Sequence, residues 1–137
     1  MKFTVYDAST GRIKRYGQCP DDDVSAQALE GEGVVEGHFD PAETYFPGGV
    51  QTAMPPRPSP MHDFDFLAAA WVANEERAWA EVRLTRDNLL RQTDWMTLRA
   101  IDTGAPLSEA WLAYRQALRD ITSQPDPVNI VWPVPPA

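Results

Sequence analysis

Cationic side chains are scarce in this 137-residue chain: 12 Lys and Arg stand against 20 Asp and Glu, a net charge of −8. Lys2 and Lys14 are its only lysines, and the densest basic patch, Arg12-Ile13-Lys14-Arg15, is followed within eight residues by Asp21-Asp22-Asp23. Binding to a polyanion draws on clustered Lys and Arg that neutralise phosphates, so nucleic acid and anionic membrane surfaces are poor partners. A single cysteine, Cys19, excludes an internal disulfide and fits a reducing compartment. No run approaches the ~18 uncharged apolar residues of a membrane span. The segment Met1–Asp7, acidic by its seventh residue, does not read as a signal peptide. What is present is ordinary for one small domain with an appendage: 43% apolar residues and 10% aromatics, five of them Trp.

Proline punctuates the chain. Thirteen prolines are about twice the average frequency of ~5%, and most fall in two clusters, residues 55–60 and residues 125–136. Proline lacks a backbone donor and fixes φ, so both clusters predict extended, polyproline-like spacers. The expected organisation is α+β. It comprises a strand-rich region 1–53, a proline linker 54–60, a helical hairpin 61–124, and an extended tail 125–137.

In the first region, alternation about Phe3 and Val5, a turn at Ala8-Ser9-Thr10-Gly11 and the return Arg12–Tyr16 predict a β-hairpin over residues 2–18. Pro20-Asp21-Asp22-Asp23 predicts a capped short helix through Ala26, Ala28 and Leu29, stopped by Gly31 and Gly33. Residues 34–39, 44–46 and 50–52 are further strand candidates.

From Phe64 to Ile101 there is neither Pro nor Gly, and Ala, Leu, Glu and Arg predominate, which predicts a helix. Leu67, Trp71, Trp79, Val82, Leu89, Leu90, Met96 and Ile101 form one broad apolar stripe, while Phe66, Leu84, Trp95 and Leu98 fall opposite. Two apolar faces require either a bend near Thr85-Arg86-Asp87 or a second chain. Beyond Pro106, Leu107, Trp111, Tyr114, Leu118 and Ile121 are spaced 4, 3, 4 and 3, with Ser108 as N-cap. The connector 103–106 makes the two helices antiparallel neighbours.

Residues with chemical potential are few and ungrouped. His62-Asp63-Phe64-Asp65 offers one imidazole and two acids, which serve as well for capping as for a metal. Asp21-Asp22-Asp23 lacks the spacing and the bidentate Glu of an EF-hand. No serine or cysteine sits in a nucleophile turn, and Gly31-Glu32-Gly33 lacks the helix and Lys of a phosphate loop. The reading is a protein without catalytic, cofactor or metal residues.

Three blocks are more specific. Arg86-Asp87-Asn88-Leu89-Leu90-Arg91-Gln92-Thr93-Asp94-Trp95 is followed by Trp111-Leu112-Ala113-Tyr114-Arg115-Gln116-Ala117-Leu118-Arg119-Asp120-Ile121, then by Val131-Trp132-Pro133-Val134-Pro135. In this order they resemble the bacteriophage tail assembly chaperone family over about residues 83–135. Residues 34–58, with Asp40-Pro41, Tyr45, Gly48-Gly49 and Pro55-Pro56, more loosely resemble segments of tail and tail-fibre proteins. The family commonly carries Pro soon after the Arg-Asp-Ile block, whereas here Thr122-Ser123-Gln124 precedes Pro125.

The resemblance implies a phage or prophage protein that binds a tail or tail-fibre protein in the host cytoplasm, without catalysis and without a cofactor. The alternative is a structural component of the virion, at the tail tip, baseplate or fibre attachment. A homo-oligomer is expected from the double-faced helix. Partner binding is expected at Leu84, Trp95, Leu98, Tyr114, Arg115, Arg119 and Trp132. Asp94 is expected to pair with Arg115 or Arg119, and Trp132 to fold back on the hairpin or insert into a partner.

Overall fold

The computed structural model describes residues 1–137 and divides into two compact units, Met1–Val72 and Ala73–Ala137. The predicted α+β class is what the chain adopts: antiparallel strands come first, and two helices follow.

Unit 1 opens with the predicted hairpin, β1 (Lys2–Asp7) and β2 (Ile13–Gln18), antiparallel with Thr4 opposite Tyr16 and a bulge between Val5 and Tyr6. The turn closes because the Asp7 carboxylate accepts from the Ser9 and Thr10 amides and from the Ser9 hydroxyl. The Ser9 hydroxyl and these amides hold the Asp7 carboxyl below its usual range. β3 (Glu32–Glu36) pairs with the other edge of β1, giving the order β2-β1-β3. As the central strand, β1 supplies the buried Phe3, Thr4 and Val5, and Val24 and Cys19 complete this core. The Thr4 hydroxyl donates to the Gly37 carbonyl at 2.9 Å, so its complete burial leaves no unpaired donor.

The helix expected after Pro20 is instead two 3-10 turns, Asp21–Asp23 and Ser25–Gln27, with no side-chain cap. Ala28 is already extended, which leaves too few residues for an α-helical nucleus. Below these turns Glu32 ties the segment to β2. Its carboxylate takes two hydrogen bonds from Arg15 and one from the Leu29 amide, and it pairs with Lys14 at 2.7 Å.

β4 (Thr44–Tyr45) and β5 (Thr52–Ala53) form a second antiparallel pair, and β6 (His62–Asp65) and β7 (Ala70–Ala73) a third. The expected helix therefore does not begin at Phe64. His62-Asp63-Phe64-Asp65-Phe66 alternates with period two, and the Asp65 carboxylate accepts from the Leu67 and Ala68 amides to make a turn. Phe64 meets the edges or faces of Tyr45, Phe66 and Trp71 at centroid distances of 5.0–5.2 Å. Phe66 is thus part of an aromatic cluster in unit 1 and does not belong to a helix face.

Gly11 joins the hairpin turn to this second layer. Its carbonyl accepts from the Phe46 amide at 2.8 Å, its φ is +77°, and a Cβ placed there would lie 2.5 Å from the Phe46 carbonyl carbon. Phe46 is 2% exposed and stacks on Tyr6.

In unit 2, α1 (Glu75–Thr103) runs for 29 residues as one helix, uninterrupted at Thr85-Arg86-Asp87. Asn74 caps it through its side-chain oxygen, which accepts from the Arg77 amide at 3.0 Å, and Glu75 and Glu76 occupy the first turn. It ends at Gly104, φ +68°. α2 (Glu109–Arg119) begins at Ser108 as expected, its hydroxyl accepting from the Trp111 amide, and passes into a 3-10 turn at Ile121–Ser123. Ala78 and Val82 of α1, Tyr114 and Leu118 of α2, and Ile121 supply the buried apolar positions.

Two outcomes test this account. Gly11→Ala is expected to destabilise unit 1 by about 2–5 kcal/mol, combining left-handed strain with overpacking against backbone, measured by urea unfolding. Glu32 is held well below the usual carboxylate range, first by Arg15 and then by Lys14 and the Leu29 amide. Folding lowers its proton affinity, so its contribution is complete above the ordinary Glu value of 4.5 and fades as pH falls below it. Glu32→Gln is therefore expected to lower the urea midpoint near neutral pH. It is also expected to flatten the loss of stability on the acid side.

Candidate functional site

Two surfaces concentrate apolar and directional groups, one in each unit. In unit 1 a cleft of about 1270 Å³ is lined by Arg12, Arg57, Met54, Phe64, Phe66 and Trp71 among others. Arg57 is stitched into its wall, donating to the His62 and Pro60 carbonyls while its guanidinium lies over Trp71. The Trp71 indole N–H donates to the Pro55 carbonyl at 2.7 Å, so the prolines fold onto the aromatic cluster. His62 shares a 2.7 Å hydrogen bond with the Ser59 hydroxyl, which also accepts from the Met61 amide. That geometry closes a turn, and no group of three or more His, Cys, Asp or Glu gathers where it could hold a metal.

The second surface lies on the helical hairpin. Thr93, eight per cent exposed, faces α2, and Arg115 reaches across to it. The Arg115 guanidinium donates to the Leu90 carbonyl at 3.0 Å, to the Thr93 hydroxyl, and to the Asp94 carboxylate at 2.9 Å. Of the two arginines considered as partners of Asp94, the structure selects Arg115. Arg119 turns instead to the Gln116 side-chain carbonyl. These contacts lie near the middle of α1, and they fix where α2 sits along α1.

The seven residues expected at a partner surface therefore separate. Leu84, Trp95 and Leu98 are 55, 53 and 63% exposed and lie opposite the buried Val82. Tyr114 is buried, its ring edge-on to Trp111, and Arg115 is occupied by the clasp. Arg119 stays on the surface. Trp132 is half-buried, between Val131 and Val134, which are 77 and 84% exposed.

Some features were missed in the sequence. Ile101, placed on the buried stripe, is 73% exposed because the helix continues past its packed length. Gln124 clamps the tail: its amide nitrogen donates to the Val131 carbonyl and its oxygen accepts from the Val131 amide, both at 2.9 Å. Asp126 shapes the intervening loop by accepting from the Val128 amide and the Asn129 side chain. These donors, Asn129 first, lower its carboxyl from the usual value. A Gln seven residues before an apolar tail was the available signal.

Because one fork satisfies a backbone carbonyl, a hydroxyl and a carboxylate, lysine is a poor substitute for Arg115. Arg115→Lys is expected to cost about 1.5–3 kcal/mol, read as a lower chemical-denaturation midpoint, with α1 helicity retained.

Neither a curated protein nor a solved structure matches this chain. A family model does: residues 79–137, which run from the second turn of α1 through α2 and the clamped tail, match the phage tail assembly chaperone proteins.

Proposed function

We propose that this protein assists assembly of a bacteriophage tail by binding a tail or tail-fibre protein, without catalysing a reaction. The match over 79–137 carries the reading, and it falls on the unit that exposes Trp95 on α1 and Val131 and Val134 on the tail. The contact surface is built from Trp95 on α1, Arg119 on α2, and Trp132 with its exposed neighbours on the tail. Tyr114 and Arg115 serve it indirectly by holding the hairpin closed. The proline tail suits this role, since an extended segment already stiffened by Pro133, Pro135 and Pro136 loses little entropy when a partner groove accepts it. Action in the host cytoplasm, where tail proteins are made, follows from this reading.

A second reading, a structural component at the tail tip, baseplate or fibre attachment, is favoured by one observation. Unit 1 lies outside the matched residues and has its own core, as an attachment module would. Mass spectrometry of purified particles separates the readings: a stoichiometric amount of this chain assigns it to the virion, and its absence to assembly. The binding itself is tested by co-expressing the full chain with each tail and tail-fibre protein of the same phage. Recovery of one complex is expected, weakened about tenfold or more by Trp95→Ala or Trp132→Ala, as for a central aromatic anchor. Equal recovery with both variants would remove the proposed surface.

A further inference from the structure

The outer face of α1 carries an unbroken heptad seam. Leu84, Asp87, Arg91, Asp94, Leu98 and Ile101 recur at spacings of 3, 4, 3, 4 and 3, and Ala80 extends the series by four towards the N-terminus. Every one of these residues is exposed, while Ala78, Val82 and Thr93 on the other side are buried. Alternating steps of three and four are the spacing with which two helices pack lengthwise. The seam rises over about 32 Å, at 1.5 Å per residue, which is ample for such a contact.

Its composition also specifies the occupant. Apolar residues stand at both ends and an Asp-Arg-Asp sequence stands at the centre. A second copy in parallel register would set Arg91 on Arg91, Asp87 on Asp87 and Asp94 on Asp94, three like-charge layers. Reversing the second copy about a point between residues 92 and 93 removes all three conflicts. Leu84 then opposes the partner's Ile101, Arg91 opposes the partner's Asp94, and Leu98 opposes the partner's Asp87. The two-fold axis repeats each layer, so two ion pairs lie at the centre, a Leu98–Asp87 layer lies on either side of them, and a leucine–isoleucine layer closes each end. Asp94 can take part because Arg115 engages only its Oδ1, and its side chain remains 56% exposed.

We propose that two copies of this chain associate antiparallel through this seam of α1. The inference does not depend on tail-protein binding, and Trp95, one residue beyond the seam, stays at its margin.

Sedimentation of the purified full chain at tens of micromolar is expected to show a dimer. Arg91→Asp, which leaves three acids in the central layers of each copy, is expected to raise the dissociation constant at least about tenfold, with helicity by circular dichroism unchanged. Should that variant lose helicity, Leu98→Gln carries the same expectation. Orientation is read in a Cys19→Ala background, where chains with Leu84→Cys are expected to form a disulfide with chains carrying Ile101→Cys and not with each other. A monomeric wild type overturns the proposal. So does a dimer indifferent to Arg91→Asp and Leu98→Gln, or a ready disulfide between two Leu84→Cys chains. A monomer that captures a tail protein through these same residues assigns the seam to that partner instead and likewise overturns it.

Discussion

The hairpin of unit 2 depends on a single guanidinium. Arg115 inserts its planar fork between α2 and the middle of α1 and meets a backbone carbonyl, a buried hydroxyl and a carboxylate at once. Apolar contact alone sets the two helices loosely, because leucine and alanine surfaces slide past one another at small cost. Directional donors do not slide, so this fork defines the register. With Arg115 in place, Tyr114 and Leu118 fall on the buried side of α2, and Trp95, Leu84 and Leu98 remain outside. The exposed face is a consequence of what the clasp buries.

Unit 1 solves a different problem, since its three small sheets bury little individually. Aromatic rings supply the continuity. Tyr6 stacks on Phe46 and Phe46 meets the edge of Phe39, while the neighbouring Tyr45 meets Phe64 and Phe66, so two ring clusters joined at Tyr45-Phe46 make the apolar layer that ties distant strands of this unit together. Offset and edge-on packing of this kind adds specificity beyond area, because ring faces and edges carry opposite partial charge. The layer also requires missing side chains: Gly33, opposite Tyr6 in the register of β1 and β3, leaves space that a Cβ would deny to the Tyr6 ring.

Much of this was legible in the residues. The hairpin 2–18 announced itself by alternation and a Gly-containing turn, and α2 by a 4-3-4-3 spacing behind Ser108. The stretch 62–73 did not, because Leu67-Ala68-Ala69-Ala70 carries helical propensity while the tertiary aromatic cluster favours strands. The stronger signals lay beside it: period-two alternation through Phe66, and Asn74-Glu75-Glu76 as a capped start. The exposure of Leu84, Trp95 and Leu98 followed from their place on the helical wheel. The acceptor that fixes Arg115 could not be read, since a backbone carbonyl such as that of Leu90 leaves no mark in a sequence.

The clamped tail has a consequence for any groove that receives it. Past Val131, whose amide is already taken by Gln124, the residues Pro133, Pro135 and Pro136 have no N–H to offer. From Trp132 to Pro136 only Trp132 and Val134 keep a main-chain donor, while all five residues keep a carbonyl. The strip is thus chemically one-sided, rich in acceptors and poor in donors, and it cannot complete the ladder of a regular β-sheet. Whatever engages it must bring the hydrogens itself, from indole, phenol, guanidinium or free amide groups.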